Sequence, residues 1–341
     1  MKNLSFIKKI ILFLNYIVAL LLLLAFIAPY LPVGFLSVLS VLSLIFPYIV
    51  LLNLLFVLYW LLQFKKYMFI SLLILLINYN NIRAVFQWKG AYREEPKGFV
   101  LMSYNVRLFN AYEWIKRKGV DVDISNYIKD QNPDIVCLQE FREDAQTNFK
   151  QFSYHQIALK GKKRKVGLAI FSKNKIIDKG TLNFKDTYNN AIWADILLGN
   201  DTIRVYNVHL QSYMIVHPED LISQNKSEVS SKLRRVFDRQ QTQAKLVAEH
   251  IEKTKLKTII AGDFNNTSFS APYRILKDNK NDAFVEAGQG FGITWKYKFV
   301  PLRIDFILPD KRIDVLQFET LNYVNFSDHF PIKALLQVHP K

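Results

Sequence analysis

The chain has 341 residues, half of them hydrophobic, with a mean hydropathy of +0.06 and a formal net charge of +16. That apolar balance argues against a simple soluble enzyme, the length accommodates about two domain-sized units, and a lone cysteine, Cys137, excludes a disulfide-stapled fold. The apolar excess lies before Trp88, and the first acidic residue is Glu94.

Three apolar runs open the chain. Residues 10–30 can cross a bilayer, which needs about 20 residues of helix. Residues 33–62 can do so too, their Pro47 being tolerable where neighbours satisfy the freed carbonyl. The third run reaches spanning length, over 67–87, only by taking in "NNIRAVF", so 1–88 is expected to be an anchor of two or three transmembrane helices. No small-residue cleavage site follows Tyr30, which argues against a removed signal peptide. Lys2, Lys8 and Lys9 before the first run, and Lys65 and Lys66 after the second, orient both ends toward the cytoplasm of a bacterial-type inner or plasma membrane. Three spans put everything after Trp88 outside the cytoplasm, and two leave it inside.

A polar, Gly/Pro-punctuated linker occupies 89–97, and residues 98–341 are enough for one substantial core. Of the 45 Lys/Arg and 29 Asp/Glu, eight and one lie in the first 94 residues, which leaves the remainder at +9, suited to an anionic partner. No internal repeat or low-complexity segment is present there. Short β-rich runs recur, each bearing a polar residue near one end: "FVLMSYN" ends at Asn105, "DIVCLQE" at Glu140, "IRVYNVH" at His209 and "TIIAGDFN" at Asp263 and Asn265, while "RIDFIL" carries Asp305 near its start. Between them, "SKLRRVFDRQQTQAKLVAEHIEK" places Leu233, Val236, Phe237, Ala244, Val247 and Ile251 on one helical face, and "DISNYIKDQ" is a helix stopped before Pro133. Mixed α and β elements around a central sheet follow.

Asn105 and Glu140 are oxygen donors of the type that a hard cation such as Mg²⁺ prefers. Asp263 and Asn265 stand two apart, so in an extended segment both leave on one side, where they can orient one water; "GDFN" is equally the sequence of a Gly-Asp turn. Asp328 and His329 read alone as a capping residue and a surface imidazole, but Asp305 can hold the tautomer of His329. No Walker A loop, His-Glu-x-x-His or C-x-x-C motif is present.

In combination, "SYNV" at 103–106, "CLQEF" at 137–141, "VHLQS" at 208–212, "AGDFN" at 261–265, "RIDFIL" at 303–308 and "SDHFPI" at 327–332 resemble, in order, the motifs of the endonuclease/exonuclease/phosphatase superfamily, which includes DNase I, neutral sphingomyelinases and inositol-polyphosphate 5-phosphatases. The resemblance covers about 98–338. It implies a four-layered α/β sandwich of the DNase I type, preceded here by the helical anchor, with a site for Mg²⁺, or Mn²⁺, at one rim. It implies further that Glu140 is the principal metal ligand, with Asn105 close to the metal or the phosphate and Asp328 completing the electrostatic site. Asp263 would activate or orient the attacking water, Asn265 and His209 would contact the substrate, and His329, steadied by Asp305, would contact a phosphoryl oxygen. Which group is the general base stays open.

His209 in "NVHLQS" is unlike the tyrosine motif usual in abasic-site endonucleases, so the expected activity is hydrolysis of a phosphodiester in nucleic acid or phospholipid, with the bilayer as the other partner and no protein partner. A phosphomonoester substrate and a catalytically silent membrane-tethered binding module are the alternatives. The basic stretch "KGKKRK" at 160–165 can grip phosphates or simply form a solvated turn, and Phe291, Trp295 and Tyr297 can stack on a base, dip into lipid or pack inside.

Overall fold

The protein is represented by a computed structural model that describes residues 4–31, 37–88, 90, 98–161, 165–213, 226–297 and 300–339. The expected linker, apart from Gly90, and the basic residues 162–164 lie outside the described residues.

Two helices among the described residues, in the stretches Phe6–Tyr30 and Leu39–Leu61, are long and apolar enough to cross a membrane. They contain α1 (Phe6–Ile27) and α2 (Leu42–Leu61). The third run folds as α3 (Met68–Ile77), about 15 Å long at 1.5 Å per residue, followed by the short α4 (Tyr79–Arg83) beyond Asn78. Buried amides tie these helices together. Asn15 of α1 donates to Ser71 Oγ of α3 at 2.6 Å and accepts from Trp60 Nε1 of α2 at 3.0 Å, while Asn53 of α2 donates to the Val18 carbonyl. Such bonds hold helices together where apolar surface gives no preference between neighbours. The outward faces carry exposed Phe13, Leu20, Leu51, Leu55 and Leu73.

Beyond these helices the chain builds β1 (Phe99–Asn105), α5 (Val120–Gln131), β2 (Ile135–Arg142), β3 (Tyr154–Lys160), β4 (Val166–Ser172), β5 (Ile176–Thr181), β6 (Asn190–Leu198), β7 (Asp201–His209), α6 (Lys226–Glu252), β8 (Lys257–Asp263), α7 (Ala271–Lys277), α8 (Ala283–Ala287), β9 (Trp295–Tyr297), β10 (Val300–Leu302), β11 (Asp305–Pro309), β12 (Ile313–Thr320) and β13 (Ile332–Val338). One sheet has the order β12-β13-β1-β2-β4-β3, the other β11-β8-β7-β6-β5, and β9 and β10 form a separate hairpin. In each sheet a parallel pair is joined through a helix, β1 to β2 by α5 and β7 to β8 by α6, and the remaining pairings are antiparallel.

The central strands are apolar on both faces because both faces are covered. Leu101, Cys137, Ile170, Ile192, Val205 and Ile259 meet between the sheets. On the outer faces, Met102, Val136 and Leu138 pack against Val120, Ile124 and Ile128 of α5, and Tyr206, Val208 and Ile260 pack against Ala244 and Val247 of α6 and Leu276 of α7. The result is the expected four-layered α/β sandwich, with Cys137 a plain core residue. Gly262, one residue before the end of β8, has φ +139°, and a Cβ there would sit 2.0 Å from the Val208 carbonyl oxygen.

Gly262→Ala is therefore expected to cost roughly 2–5 kcal/mol through backbone strain and overpacking. Thermal or denaturant melting of the purified protein tests it, and an unchanged transition would show that the β7–β8 contact is looser than described.

Candidate active site

Parallel strands end on the same rim, and antiparallel neighbours begin there. Register places His209, at the end of β7, beside Asp263, at the end of β8, and Asp263 opposite Asp305, at the start of β11. In the other sheet β1 ends at Asn105, alongside Gln139 of β2, and His329 lies three residues before β13, which runs antiparallel to β1. All of the motifs singled out in the sequence thus reach one edge of the sandwich.

Glu140 reaches the rim through a local break in the strand. The β2–β4 register shifts between Gln139 and Phe141, and Glu140 has φ +54°. A bulge of this kind inserts one residue and re-aims its side chain. Asn105 Nδ2 then lies 3.3 Å from Glu140 Oε1 and 3.0 Å from Asp263 Oδ2, so one amide spans both carboxylates, while its oxygen accepts from the Arg107 backbone N–H at 3.0 Å. The donors of Asn105, and not its oxygen, thus face the carboxylates. Residues 107–110 all have positive φ, a left-handed turn that brings the Arg107 Nε to 3.4 Å from Asp328 Oδ2. Four successive residues in this conformation are costly, and such strain concentrates at functional sites.

Asp263 is almost wholly buried and held from several sides. Its Oδ1 accepts from the Asn265 backbone N–H at 2.7 Å, and Asn265 Nδ2 donates to Oδ2 at 3.3 Å and to the Leu210 carbonyl at 3.0 Å. The "GDFN" turn and the orienting pair are therefore one structure, with Asn265 at φ +50°. Asp305 Oδ2 lies 2.9 Å from His329 Nδ1, while His329 Nε2 and His209 Nε2 stand 3.7 and 3.6 Å from Asp263 Oδ2. Asp263, Asp305 and His329 offer ligand atoms all within 4.8 Å of one another, a second carboxylate cluster beside Glu140 and Asp328.

Burial sets the protonation of these groups and the neighbours correct it. Glu140 is pushed up by burial and by Asp328, against His329, Asn105 and Arg107. Asp263 is pushed up by burial and by Asp305, with His329 and the amides of Asn265 and Asn105 opposing. His209 is lowered to about 3 by burial and by His329, so it is a neutral imidazole, and among the described residues its Nε2 has no hydrogen-bond partner. For His329 burial opposes the charge, but Asp305 and Asp263 outweigh it and raise the pKa to about 10. The rim therefore combines a carboxylate of raised pKa with a neutral imidazole and an imidazolium, 3.6 and 3.7 Å from it.

Several contributors had only weak sequence signals. Ser327 Oγ donates to the Asn105 carbonyl at 2.8 Å and accepts from the His329 N–H, tying the two ends of the motif series together. Gln240 and Gln243 sit buried on the apolar face of α6, where Gln240 Nε2 donates to the carbonyls of Gln211 and Asn265 and Gln243 Oε1 accepts from the Gln211 N–H. Two amides three apart inside an apolar stripe were the available hint. Thr294 Oγ1 accepts from the Asp305 N–H, and Trp295 bridges to His329, so the β9–β10 hairpin flanks the site. Phe291 is exposed and packs against Phe86, which follows α4, with ring centroids 4.9 Å apart. The Lys160 ammonium donates to the carbonyls of Phe184, Thr187 and Asn189, so this residue of the basic stretch closes a loop instead of meeting a ligand.

Because the pKa of His329 is raised, the stability it contributes is complete below about pH 6.5, its ordinary value, and is lost as the pH rises through about 10. The difference in melting temperature between the native protein and His329→Gln should accordingly be largest at the acid end of that range and shrink toward the alkaline end. A difference constant from pH 6 to 10 would contradict the charged His329–Asp305 pair.

Among solved structures the fold recurs widely. Truncated TDP2 of Caenorhabditis elegans aligns with a TM-score of 0.53 and 18% identity over 70% of this chain and 97% of its own. An endonuclease/exonuclease/phosphatase family protein of Leptotrichia buccalis gives 0.51 and 18% over 70% and 99%, and an endonuclease/exonuclease/phosphatase of Bacteroides vulgatus 0.53 and 18% over 72% and 100%. At these identities the likeness concerns the fold. A comparison with curated proteins finds none that matches. Residues 8–85 match a domain of unknown function. Residues 102–329, from β1 to His329, match the model of the endonuclease/exonuclease/phosphatase family, and the chain belongs to that family.

Proposed function

We propose that the protein is a membrane-anchored, Mg²⁺-dependent phosphodiesterase. The observation that carries this reading is the convergence of Asn105, Glu140, His209, Asp263, Asp305 and His329 on one rim, with the His329–Asp305 pair at 2.9 Å and a hydrogen-bonded path from Glu140 through Asn105 to Asp263. The family's usual chemistry is the hydrolysis of phosphoric esters, generally with divalent metals.

The residues present fit a hard divalent cation. Glu140 and Asp328 are close enough for one charge to raise the other's pKa, Arg107 offsets them only in part, and carboxylate oxygens are the donors that Mg²⁺ and Mn²⁺ accept. Glu140 and Asp328 would hold the ion, with Asn105 orienting Glu140 against Asp263. Bound there, the ion supplies Lewis-acid stabilisation of the charge that builds on the phosphoryl oxygens. Asp263 receives a proton from the attacking water, its carboxylate fixed by the backbone and amide of Asn265. His209, neutral and with an Nε2 that no described residue engages in a hydrogen bond, lines the position of a phosphoryl oxygen, and the His329 imidazolium donates to a second one while Asp305 holds its ring.

The membrane reading rests on α1 and α2 and on the points where the anchor meets the sandwich. Pro29, two residues past the end of α1, accepts from Arg274, Ser43 at the start of α2 meets Asn266, and Ala84 after α4 accepts from Arg303. Lys8 and Lys9, and Lys65 and Lys66, occupy the opposite ends of these helices. By the positive-inside rule this arrangement favours a catalytic unit outside the cytoplasm, with α3 and α4 completing the return. A rim whose next residues rest on the start of α2 favours a phospholipid head group over nucleic acid as the phosphodiester.

The full chain, purified with Mg²⁺, should hydrolyse phospholipid vesicles or bis-p-nitrophenyl phosphate, with plasmid DNA assayed in parallel. Glu140→Gln should lower turnover by about 100-fold or more with the fold retained, and full activity in that variant would sink the assignment. Protease added to intact spheroplasts should reach the region after Trp88; complete protection would place it inside.

A further inference from the structure

The anchor meets the sandwich through a polar seam directly behind the reacting groups. Thr267 Oγ1 donates to the Ser43 carbonyl at 2.8 Å, and the Ser43 hydroxyl, 2.6 Å from the Ser40 carbonyl, shares its proton with Asn266 Oδ1 at 3.1 Å. Asn266 Nδ2 passes the contact on to Gln240 Oε1 at 2.8 Å, and Gln240 Nε2 holds the Gln211 carbonyl at 2.7 Å and the Asn265 carbonyl at 3.0 Å. Two residues beyond Thr267, Phe269 stacks on Phe46, one turn into α2, with centroids 4.0 Å apart and planes 17° from parallel. Ser43, Asn266, Thr267 and Gln240 are all buried. Every polar group here is therefore dependent on a protein partner, and removing one leaves another unsatisfied.

A passive tether needs none of this. A flexible linker alone would keep a catalytic unit at a membrane, yet here a helix of the anchor supplies hydrogen bonds to the two residues that follow Asn265. Asn265 in turn fixes both oxygens of Asp263. We propose that Ser43 and Thr267 are positioning residues for Asp263 and Asn265, so that hydrolysis depends on the docked helical anchor. The inference rests on the phosphodiesterase reading above. A misplacement of about 1 Å at a reacting group can cost about 100-fold in rate, which makes the seam a functional contact as well as a structural one.

The test uses the full chain in detergent or vesicles. Thr267→Val keeps the side-chain shape and removes the hydroxyl, Thr267→Ser keeps the hydroxyl, and Ser43→Ala removes the other half of the seam. Thr267→Val and Ser43→Ala should lower kcat about tenfold with KM within about twofold of the native value, and Thr267→Ser should restore kcat. In both deficient variants, hydrogen exchange of the amides at 264–267 should accelerate while that of the central strands stays unchanged. Native kcat in Thr267→Val and Ser43→Ala, or a loss that Thr267→Ser shares in full, overturns the proposal. Should the native chain hydrolyse no phosphoester, the phosphodiesterase reading fails by itself, and exchange then decides the seam: faster exchange at 264–267 supports the positioning role, and unchanged exchange overturns it.

Discussion

Two buried carboxylates, Asp263 and Asp305, share one imidazolium, His329, and the rest of the rim is arranged around that imbalance. Burying an ionised carboxylate is costly unless hydrogen bonds or opposite charges replace the lost water. Asp305 meets the condition through the His329 ring, and Asp263 through the Asn265 N–H and the amides of Asn105 and Asn265. Glu140 meets it less well, with one long amide contact and Asp328 as a repelling neighbour. Carboxylates gathered at one rim, as Glu140, Asp263 and Asp305 are, present charge that a divalent cation would neutralise.

Holding those carboxylates together requires unusual backbone. Glu140 and Asn265 have positive φ, as do the four residues 107–110, and Gly262 occupies a conformation that a side chain would not fit. Glu140 and Asn265 are themselves at the rim, Gly262 immediately precedes Asp263, and the run 107–110 begins two residues after Asn105. The strain is tolerated because the strands before each of them are locked into two packed sheets, and a rigid sandwich can hold a few unfavourable dihedrals that a loop could not.

The N-terminal helices extend the same logic. Their outward faces are apolar, they share a buried apolar core of Leu22, Phe46, Ile49, Val50 and Leu75 with Phe269 of the sandwich, and polar contacts are set into it: Asn15 with Ser71 and Trp60 among the helices, Ser43 with Asn266 and Thr267 at the sandwich. Polar contacts between apolar helices carry orientation where hydrophobic packing carries little. The N-terminal helices and the sandwich therefore meet in a specified geometry, reinforced by Arg303, which joins the Ala84 carbonyl to the buried Asp282.

The sequence by itself determined the classes of element and the inventory of chemistry. Apolar runs of spanning length, β-rich runs each bearing a polar residue near one end and the order of six short motifs are local patterns, legible because periodicity and residue type act over neighbouring positions. They led to the family, the sandwich and most of the side chains now found at the rim, but not to Arg107, Ser327 or Thr294. Three features only the tertiary structure decided. The bulge that turns Glu140 inward depends on pairing with β4, where register and not residue type makes the shift. The amide of Asn105 faces two carboxylates from strands 35 and 158 residues away, a relation that no local pattern encodes. Ser43, unremarkable in an apolar run, gains its partner 223 residues later. Long-range contacts of this kind follow from how the layers stack, which composition and spacing leave undetermined.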